Sequence, residues 1–285
     1  MNTFAMVTTR HSNHYTNYAL STLIDNTKLQ SDDEVILIDN DGAYGELPVN
    51  CRDRVQVRIN EKPRSFAANV NQALELARDR RADLVFLNND LIFSPNWFEP
   101  LTARGAYLLS PLSNAEVQYS ESGLECKLGM NLEDYLGKEM VFHDIVRRHR
   151  NKLQGYLKVL TLPFFAVKIP HAVYSVVGPL DESFGVGGGE DKDYCVRCYQ
   201  SGFEIRFALN SYILHFQGKS TWRGAETREE TAARDRSYIA RFKEKWGEPL
   251  FQLVIFNEVR QLPPHLQQAY EQRDFQRLIS GALAP

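Results

Sequence analysis

Three short stretches of this chain put groups that bind metals or move protons at the ends of apolar runs. The first is Leu84-Val85-Phe86-Leu87-Asn88-Asn89-Asp90. An unbroken apolar run reads as a strand buried on both faces, and this one stops at polar side chains, so a carboxylate is delivered to the rim of a sheet. Ligands of open α/β sheets bind beyond the carboxyl ends of the strands, where Asp90 can meet a metal or a phosphate. The alternative is a polar turn that caps a following helix at Ser94-Pro95-Asn96-Trp97. The second stretch, Gly189-Glu190-Asp191-Lys192-Asp193-Tyr194-Cys195-Val196-Arg197, opens a helix that stops at Gly202, with acids crowded into the first turn. The helix dipole favours acids there, and capping alone accounts for two of them. The third stretch, Ser211 to Leu214, leads into His215, which is a metal ligand or a hydrogen-bonded structural histidine depending on its neighbours.

Absent motifs narrow the chemistry. The first strand-to-helix turn, Thr8-Thr9-Arg10-His11-Ser12-Asn13, has no glycine, so the dinucleotide fingerprint is missing, and no Gly-x-x-x-x-Gly-Lys-Ser/Thr occurs anywhere. The glycines of Gly185-Val186-Gly187-Gly188-Gly189 come late and precede acids, which reads as a flexible loop entering a helix. A phosphate held without a glycine cradle calls for a divalent cation, with oxygen or imidazole ligands. Cys195-x-x-Cys198 has no second pair and no His-x-x-x-His to complete a tetrahedral site, so the two cysteines read as packing residues on one helix face.

The elements that must position these groups follow from periodicity. Phe4 to Thr8 reads as a strand, Tyr15 to Asn26 as an amphipathic helix, and Glu34 to Ile38 as a strand ending in Asp39 and Asp41. Val55 to Ile59 is a third strand. After Pro63 a helix to about Arg80 carries Phe66, Val70, Ala73, Leu74 and Ala77 at helical spacing, and the strand ending at Asp90 follows. Strand, helix, strand in succession predicts a parallel sheet. Leu132–Leu136 and Val141–Leu153 read as helical pieces, Val159–Val167 as a buried strand, and Glu204–Phe207 and Ser211–Leu214 as short strands. Tyr119, Tyr135 and Tyr156 of the middle segment read as packing residues or as flat stacking platforms. The tail reads as a helix from Arg228 to Trp246, a second piece over Leu250–Phe256 and a final helix from Pro264.

The chain has 285 residues, 43% hydrophobic and 24% charged, enough for one large domain. A formal net charge of −3 argues against a protein that binds nucleic acid by neutralising phosphates. Arg147-Arg148-His149-Arg150 and Arg78-Asp79-Arg80-Arg81 read as solvated helix faces. Four cysteines are few for this length and fit a reducing compartment. No signal peptide and no run long enough to span a membrane is visible, so the expectation is a cytoplasmic protein.

From about Thr3 to Ser220 the order of motifs resembles the family 2 glycosyltransferases, inverting enzymes of GT-A fold. Ile38-Asp39-Asn40 looks like that family's base-binding acid, and Asn60 with Phe66-Ala67-Ala68-Asn69 like its Asn-x-Gly-Phe-x-x-Ala-x-Asn segment. Asn88-Asn89-Asp90 looks like its Asp-x-Asp metal motif. Val177-Gly178-Pro179-Leu180-Asp181-Glu182-Ser183-Phe184 resembles Gly-Gly-Phe-Asp-Glu-x-Phe, Glu190 to Arg197 resembles Glu-Asp-x-Asp-Leu-x-x-Arg, and His215 with Ser220 resembles the closing His-x-x-x-x-Ser. Two departures stand out: Asn88 replaces the first acid of Asp-x-Asp, and Glu61-Lys62-Pro63 replaces the family's glycine.

The resemblance implies a GT-A, Rossmann-like mixed sheet flanked by helices, with a helical insertion and a C-terminal helical extension. It divides the chain into a transferase domain over 1–225 and a mainly helical extension over 226–285. Within the domain, 1–112 form the nucleotide-sugar half, 113–160 the insertion and 161–225 the acceptor half. It implies Mn²⁺ or Mg²⁺ held by Asp90 and His215, and Asp191 as the general base with Glu190 as the fallback. Thr8, Arg10, Asp39, Asn60, Phe66, Asn69, Asn88 and Asn89 are the residues implied around the nucleotide sugar. The expected partners are a UDP- or dTDP-sugar donor and a glycan, lipid-linked or small-molecule acceptor, with peripheral membrane contact left open. The alternative is a catalytically silent module of the same fold that binds a nucleotide sugar or glycan.

Overall fold

In the computed structural model the described residues are 1–103, 105–114, 131–219 and 226–283. Tyr119 and Ser220, named above, and Cys126, one of the four cysteines, lie outside them. The first strands are continuous apolar runs, as expected of parallel strands covered on both sides. β1 (Asn2–Thr8) pairs in parallel with β2 (Glu34–Asp39) and with β4 (Asp83–Leu87), and β3 (Val55–Ile59) pairs with β2. Alternation along each strand divides the core between two faces. Phe4, Met6, Leu37, Val85 and Leu87 pack with Ala19, Leu20 and Leu23 of α1 (Asn13–Asn26). Ala5, Val7, Ile36, Ile38 and Phe86 pack on the other face with Val70, Ala73 and Leu74 of α2 (Phe66–Asp79). Ser65 caps α2 by accepting a hydrogen bond from the Ala68 amide, which fixes where the helix begins after Pro63.

Beyond β4 the sheet turns mixed. The remaining strands are β5 (Leu91–Phe93), β6 (Tyr107–Ser113), β7 (Tyr156–Lys158), β8 (Ala166–Ile169) and β9 (Glu204–His215). The order across the nine-stranded sheet is β3-β2-β1-β4-β8-β6-β9-β5, with β7 paired to β9. β8 runs antiparallel to β4, β6 antiparallel to β8, β9 parallel to β6, and β5 antiparallel to β9. One rim therefore collects the ends of β1, β2, β4, β6 and β9 and the starts of β5 and β8, which is how residues far apart in sequence reach one cleft.

Several elements differ from the sequence reading for identifiable reasons. The apolar run 159–167 is not one strand: Pro163 interrupts it, Val159 completes the β7 pairing through Ile205, and β8 starts at Ala166. The two short strands at 204–214 are one, because a register shift opposite Pro111/Leu112 lets β9 absorb the polar Asn210-Ser211 without breaking. No helix starts at Ser94. β5 ends at Phe93 and the chain turns through Asn96 in the left-handed region, φ 59°. Helices α3 (Leu132–Tyr135) and α4 (Glu139–Lys152) follow the expected spacing, whereas α5 (His171–Val177) has no distinct sequence signal.

The tail is part of the same core. α6 (Glu190–Gln200) packs against α9 (Phe275–Ala282), and α8 (Pro264–Glu271) packs beside α9. α7 spans Arg228–Phe256 with a break at Gly247, φ 77°, before Pro249. That break is the boundary between the two helical pieces expected of the tail. Its residues Phe242, Trp246, Leu250 and Phe251 are buried with the sheet residues. Cys195 and Cys198 are buried, and burial pushes both thiols well above the ordinary value, as it pushes Cys51 up to about 11. They pack rather than react. Among the described residues no helix is long and apolar enough to cross a membrane.

Candidate active site

Strand register alone brings Asp90 and His215 together. Leu91 pairs with His215 across β5 and β9, so Asp90, one residue before β5, stands beside the end of β9, and the Phe216 amide donates to the Asp90 carbonyl at 3.0 Å. Asp90 is completely buried. Its Oδ2 accepts the Lys219 amide at 3.0 Å, because Gln217 and Gly218, with φ of 48° and 68°, turn the chain back over it. Its Oδ1 has no hydrogen-bond partner among the described residues and lies 3.5 Å from His215 Nε2. The imidazole is held in place by the Phe165 ring, stacked at 4.9 Å between centroids, and by its amide, which donates to Asn114 Oδ1 at 2.7 Å.

A buried carboxylate oxygen without a donor is costly in a folded protein. An oxygen and an imidazole nitrogen converging on one point form the donor set of a divalent cation such as Mn²⁺ or Mg²⁺, so these residues fit one. Among the described residues no cluster of three or more His, Cys, Asp or Glu side chains forms. Two protein ligands leave coordination positions for phosphate oxygens and water, the usual arrangement where a metal is shared with a nucleotide.

A cleft of about 710 Å³ opens on His215. Asn88 and Phe66 line it together with Gly187 to Lys192, so Glu190 and Asp191 face the same space as the histidine of the candidate metal pair. Glu190 is buried and accepts the Gly188 amide through Oε2, which makes it a strut of its own loop. Asp191 is half-buried, with Oδ1 accepting the Lys192 amide at 2.8 Å. Asp193 points away from the cleft. Fully buried, it accepts from Arg197 Nε at 2.9 Å and Trp246 Nε1 at 2.9 Å and pairs with Lys245 Nζ at 2.7 Å, tying α6 to α7.

The residues implied for the nucleotide sugar divide into a few that reach open space and several that shape the rim. Asn88 and Phe66 line the cleft. Arg10 is exposed on the first turn and pairs with Asp41 at 3.0 Å. Asp39 is buried at the end of β2, where its carboxylate accepts the Tyr44 amide at 3.0 Å and the Asp41 amide at 3.4 Å, holding the turn after β2. Asn60 and Asn69 join Asn40 in a buried amide network that fixes the Arg64 and Ser65 backbone. This network holds the loop that Glu61-Lys62-Pro63 opens. Asn89 donates to Ser12 Oγ at 2.8 Å and Thr16 Oγ1 at 2.7 Å, and Thr8 Oγ1 lies 2.7 Å from Thr16 Oγ1, so both brace the β1–α1 turn.

Sequence reasoning missed the far wall. Thr231, Arg234, Asp235 and Tyr238 of α7 line the cleft opposite the sheet. Arg234, with 9% of its side chain exposed, pairs with Glu226 and Asp235 at 3.1 Å each and donates to the Gly187 carbonyl at 3.3 Å. The cue available is the spacing 231, 234, 235, 238 on one helix face, which in isolation describes any amphipathic helix. Phe165 and Asn114 were missed as well, since nothing local marks an aromatic or an amide as the support of a distant histidine.

A parallel half-sheet continued by mixed strands, with a buried acid and a histidine converging at one rim and a second acid across the cleft, defines a GT-A glycosyltransferase fold. Residues 5–104 match the model of glycosyl transferase family 2. No curated protein matches the chain in sequence. The crystal structure of GalNAc-T7 with UDP, GalNAc and Mn²⁺ is similar with a TM-score of 0.59 and 15% identity, over 98% of this chain and 56% of that one. The present chain thus spans little more than half the length of GalNAc-T7. S. aureus TarS 1–349 in complex with UDP-GlcNAc is similar with a TM-score of 0.50 and 12% identity, over 98% of this chain and 82% of that one.

Proposed function

We propose that the protein is a metal-dependent, inverting glycosyltransferase that moves a sugar from a nucleoside diphosphate to an acceptor hydroxyl. The observation that carries this reading is the buried Asp90 Oδ1, without a hydrogen-bond partner among the described residues and 3.5 Å from His215 Nε2, with His215 and Asp191 lining one cleft. Asp90 and His215 would hold Mn²⁺ or Mg²⁺, which when bound supplies a Lewis acid for the departing diphosphate. Asn88 and Phe66 form the donor side of the cleft, with Arg10 at its outer edge and Asp39 set for the base. Asn60, Asn69, Asn89 and Thr8 serve the donor through the backbone they fix. Asp191 takes the proton of the attacking hydroxyl, a role that suits a half-buried carboxylate on the opposite wall from the leaving group. Attack from that wall inverts the anomeric carbon. Glu190, engaged by its own loop, is the less suited of the two acids.

The two similar structures hold UDP or UDP-GlcNAc, which supports a uridine donor. We assign 1–225 as the transferase domain, with the metal half over 1–112 and the base over 161–225, and 226–285 as an extension that completes the cleft. The test is a panel of nucleotide sugars with Mn²⁺ and simple glycan acceptors, read as release of nucleoside diphosphate. Release should require the metal and favour uridine over guanosine donors. Full release in excess chelator contradicts the reading.

A further inference from the structure

The glycine loop that carries Asp191 is braced from within by Glu190, which accepts the Gly188 amide, and from α2 by the Phe66 amide, which donates to the Val186 carbonyl at 3.1 Å. Gly188 and Gly189 have φ of 128° and 81°, a backbone that side-chain-bearing residues rarely adopt, and Gly189 occupies the cap position of α6 in the left-handed region. The loop also rests on α7. A Cβ on Gly188 would fall 2.7 Å from the Tyr238 ring and one on Gly189 3.2 Å from it, so the ring lies directly on the bare backbone of both residues. One turn earlier, Arg234 Nη1 donates to the Gly187 carbonyl at 3.3 Å.

α7 is in turn fastened on both flanks of the loop. Upstream, Asp181 pairs with Lys245 at 2.7 Å and Arg241 at 3.3 Å, and Arg241 Nε donates to Ser183 Oγ at 2.6 Å. Downstream, the buried Asp193 takes Lys245 and Trp246. The helix therefore spans the loop as a rigid bar fixed before it and after it, with Tyr238 and Arg234 touching the segment between.

We propose that α7 is a splint for the catalytic loop, and that Tyr238 and Arg234 are positioning residues that set where the Asp191 carboxylate stands. This rests on the reading of Asp191 as the base. Proton transfer demands placement within a fraction of an ångström, and a displacement of about 1 Å costs on the order of 10²-fold in rate. The Asp90–His215 pair is brought together by the β5–β9 register rather than by α7.

The test uses the full chain, with turnover toward an acceptor and calorimetric binding of UDP with Mn²⁺ as separate readouts. Tyr238→Ala should lower kcat roughly 10- to 100-fold while the UDP dissociation constant stays within about twofold. Tyr238→Phe, which keeps the ring, should recover most of the rate. In an Asp191→Asn background Tyr238→Ala should cost little more, because no base remains to be placed. Arg234→Gln, which removes the contact to Gly187, should lower kcat in the same direction and serves if Tyr238→Ala does not fold. A Tyr238→Ala enzyme with wild-type kcat overturns the splint. So does a loss that tracks UDP affinity, or one that multiplies in full with Asp191→Asn. Wild-type transfer by Asp191→Asn alone overturns the base assignment instead, which separates the two failures.

Discussion

The Asp90 wall of the cleft is made by strand register, whereas the Asp191 wall is a glycine loop leaning on a helix that begins some forty residues later in the chain. Asp90 and His215 are buried, and each is fixed by backbone pairing to the strand beside it. Asp191 is half-buried on a segment whose glycines permit several conformations, and its neighbours on α7 are side chains rather than a sheet. The contrast fits the two tasks proposed for these walls. A metal site needs ligands that do not relax when the cation leaves, while a base that meets an acceptor must stand where the acceptor enters. Rigidity in the first wall comes from the chain's own hydrogen-bond ladder, and in the second it is lent by a separate element.

The comparison is broken most sharply at the base. Asp191→Asn keeps the shape of the side chain and removes the proton acceptor, so kcat with an acceptor should fall roughly 10²- to 10⁴-fold while donor affinity stays nearly constant. Steady-state turnover beside UDP calorimetry checks this. A parallel loss in both readouts would move Asp191 to the donor wall.

What the sequence revealed follows the same division. The apolar runs ending at Thr8, Asp39 and Asp90 are strands because nothing but a two-sided buried strand accommodates Val85-Phe86-Leu87 between charged flanks, and their ends mark the rim without further information. The acids at 190–193 were legible because a helix start concentrates them. The pairing of Asp90 with His215 was legible only through the family resemblance, since it depends on the antiparallel β5–β9 register across more than a hundred residues. Tyr238 and Arg234 were not legible at all. Arg234-Asp235-Arg236 has the composition of a solvated face, and only packing shows Arg234 turned into the cleft. The Asn40–Asn60–Asn69 network was not legible either, since it joins amides from three elements that no single position announces.

A smaller effect separates the walls by pH. Burial alone would raise the Asp181 carboxyl, but the Lys245 ammonium and the Ser183 hydroxyl and amide bonded to it outweigh that and hold it well below the ordinary carboxylate value. A depressed folded-state value means that its contribution is fully present above the unfolded value of about 3.9 and is lost as pH falls through the folded value beneath it. Asp181→Asn should therefore lower stability by about 1–2 kcal/mol at neutral pH, and the gap to wild type should narrow as pH drops below about 4. Thermal unfolding at pH 7 and pH 3 measures this. A gap unchanged between the two would mean that the ion pairs at Asp181 do not fasten α7.

The most direct measurement is calorimetric binding of UDP to wild type and Asp90→Ala, with and without Mn²⁺. Wild type should bind UDP far more tightly with Mn²⁺ than without it. Asp90→Ala, with its fold checked by a cooperative thermal melt, should lose that metal-dependent gain by about a hundredfold or more. Retention of the full Mn²⁺-dependent gain by Asp90→Ala would contradict the metal site, and with it the wall on which the proposed transfer depends.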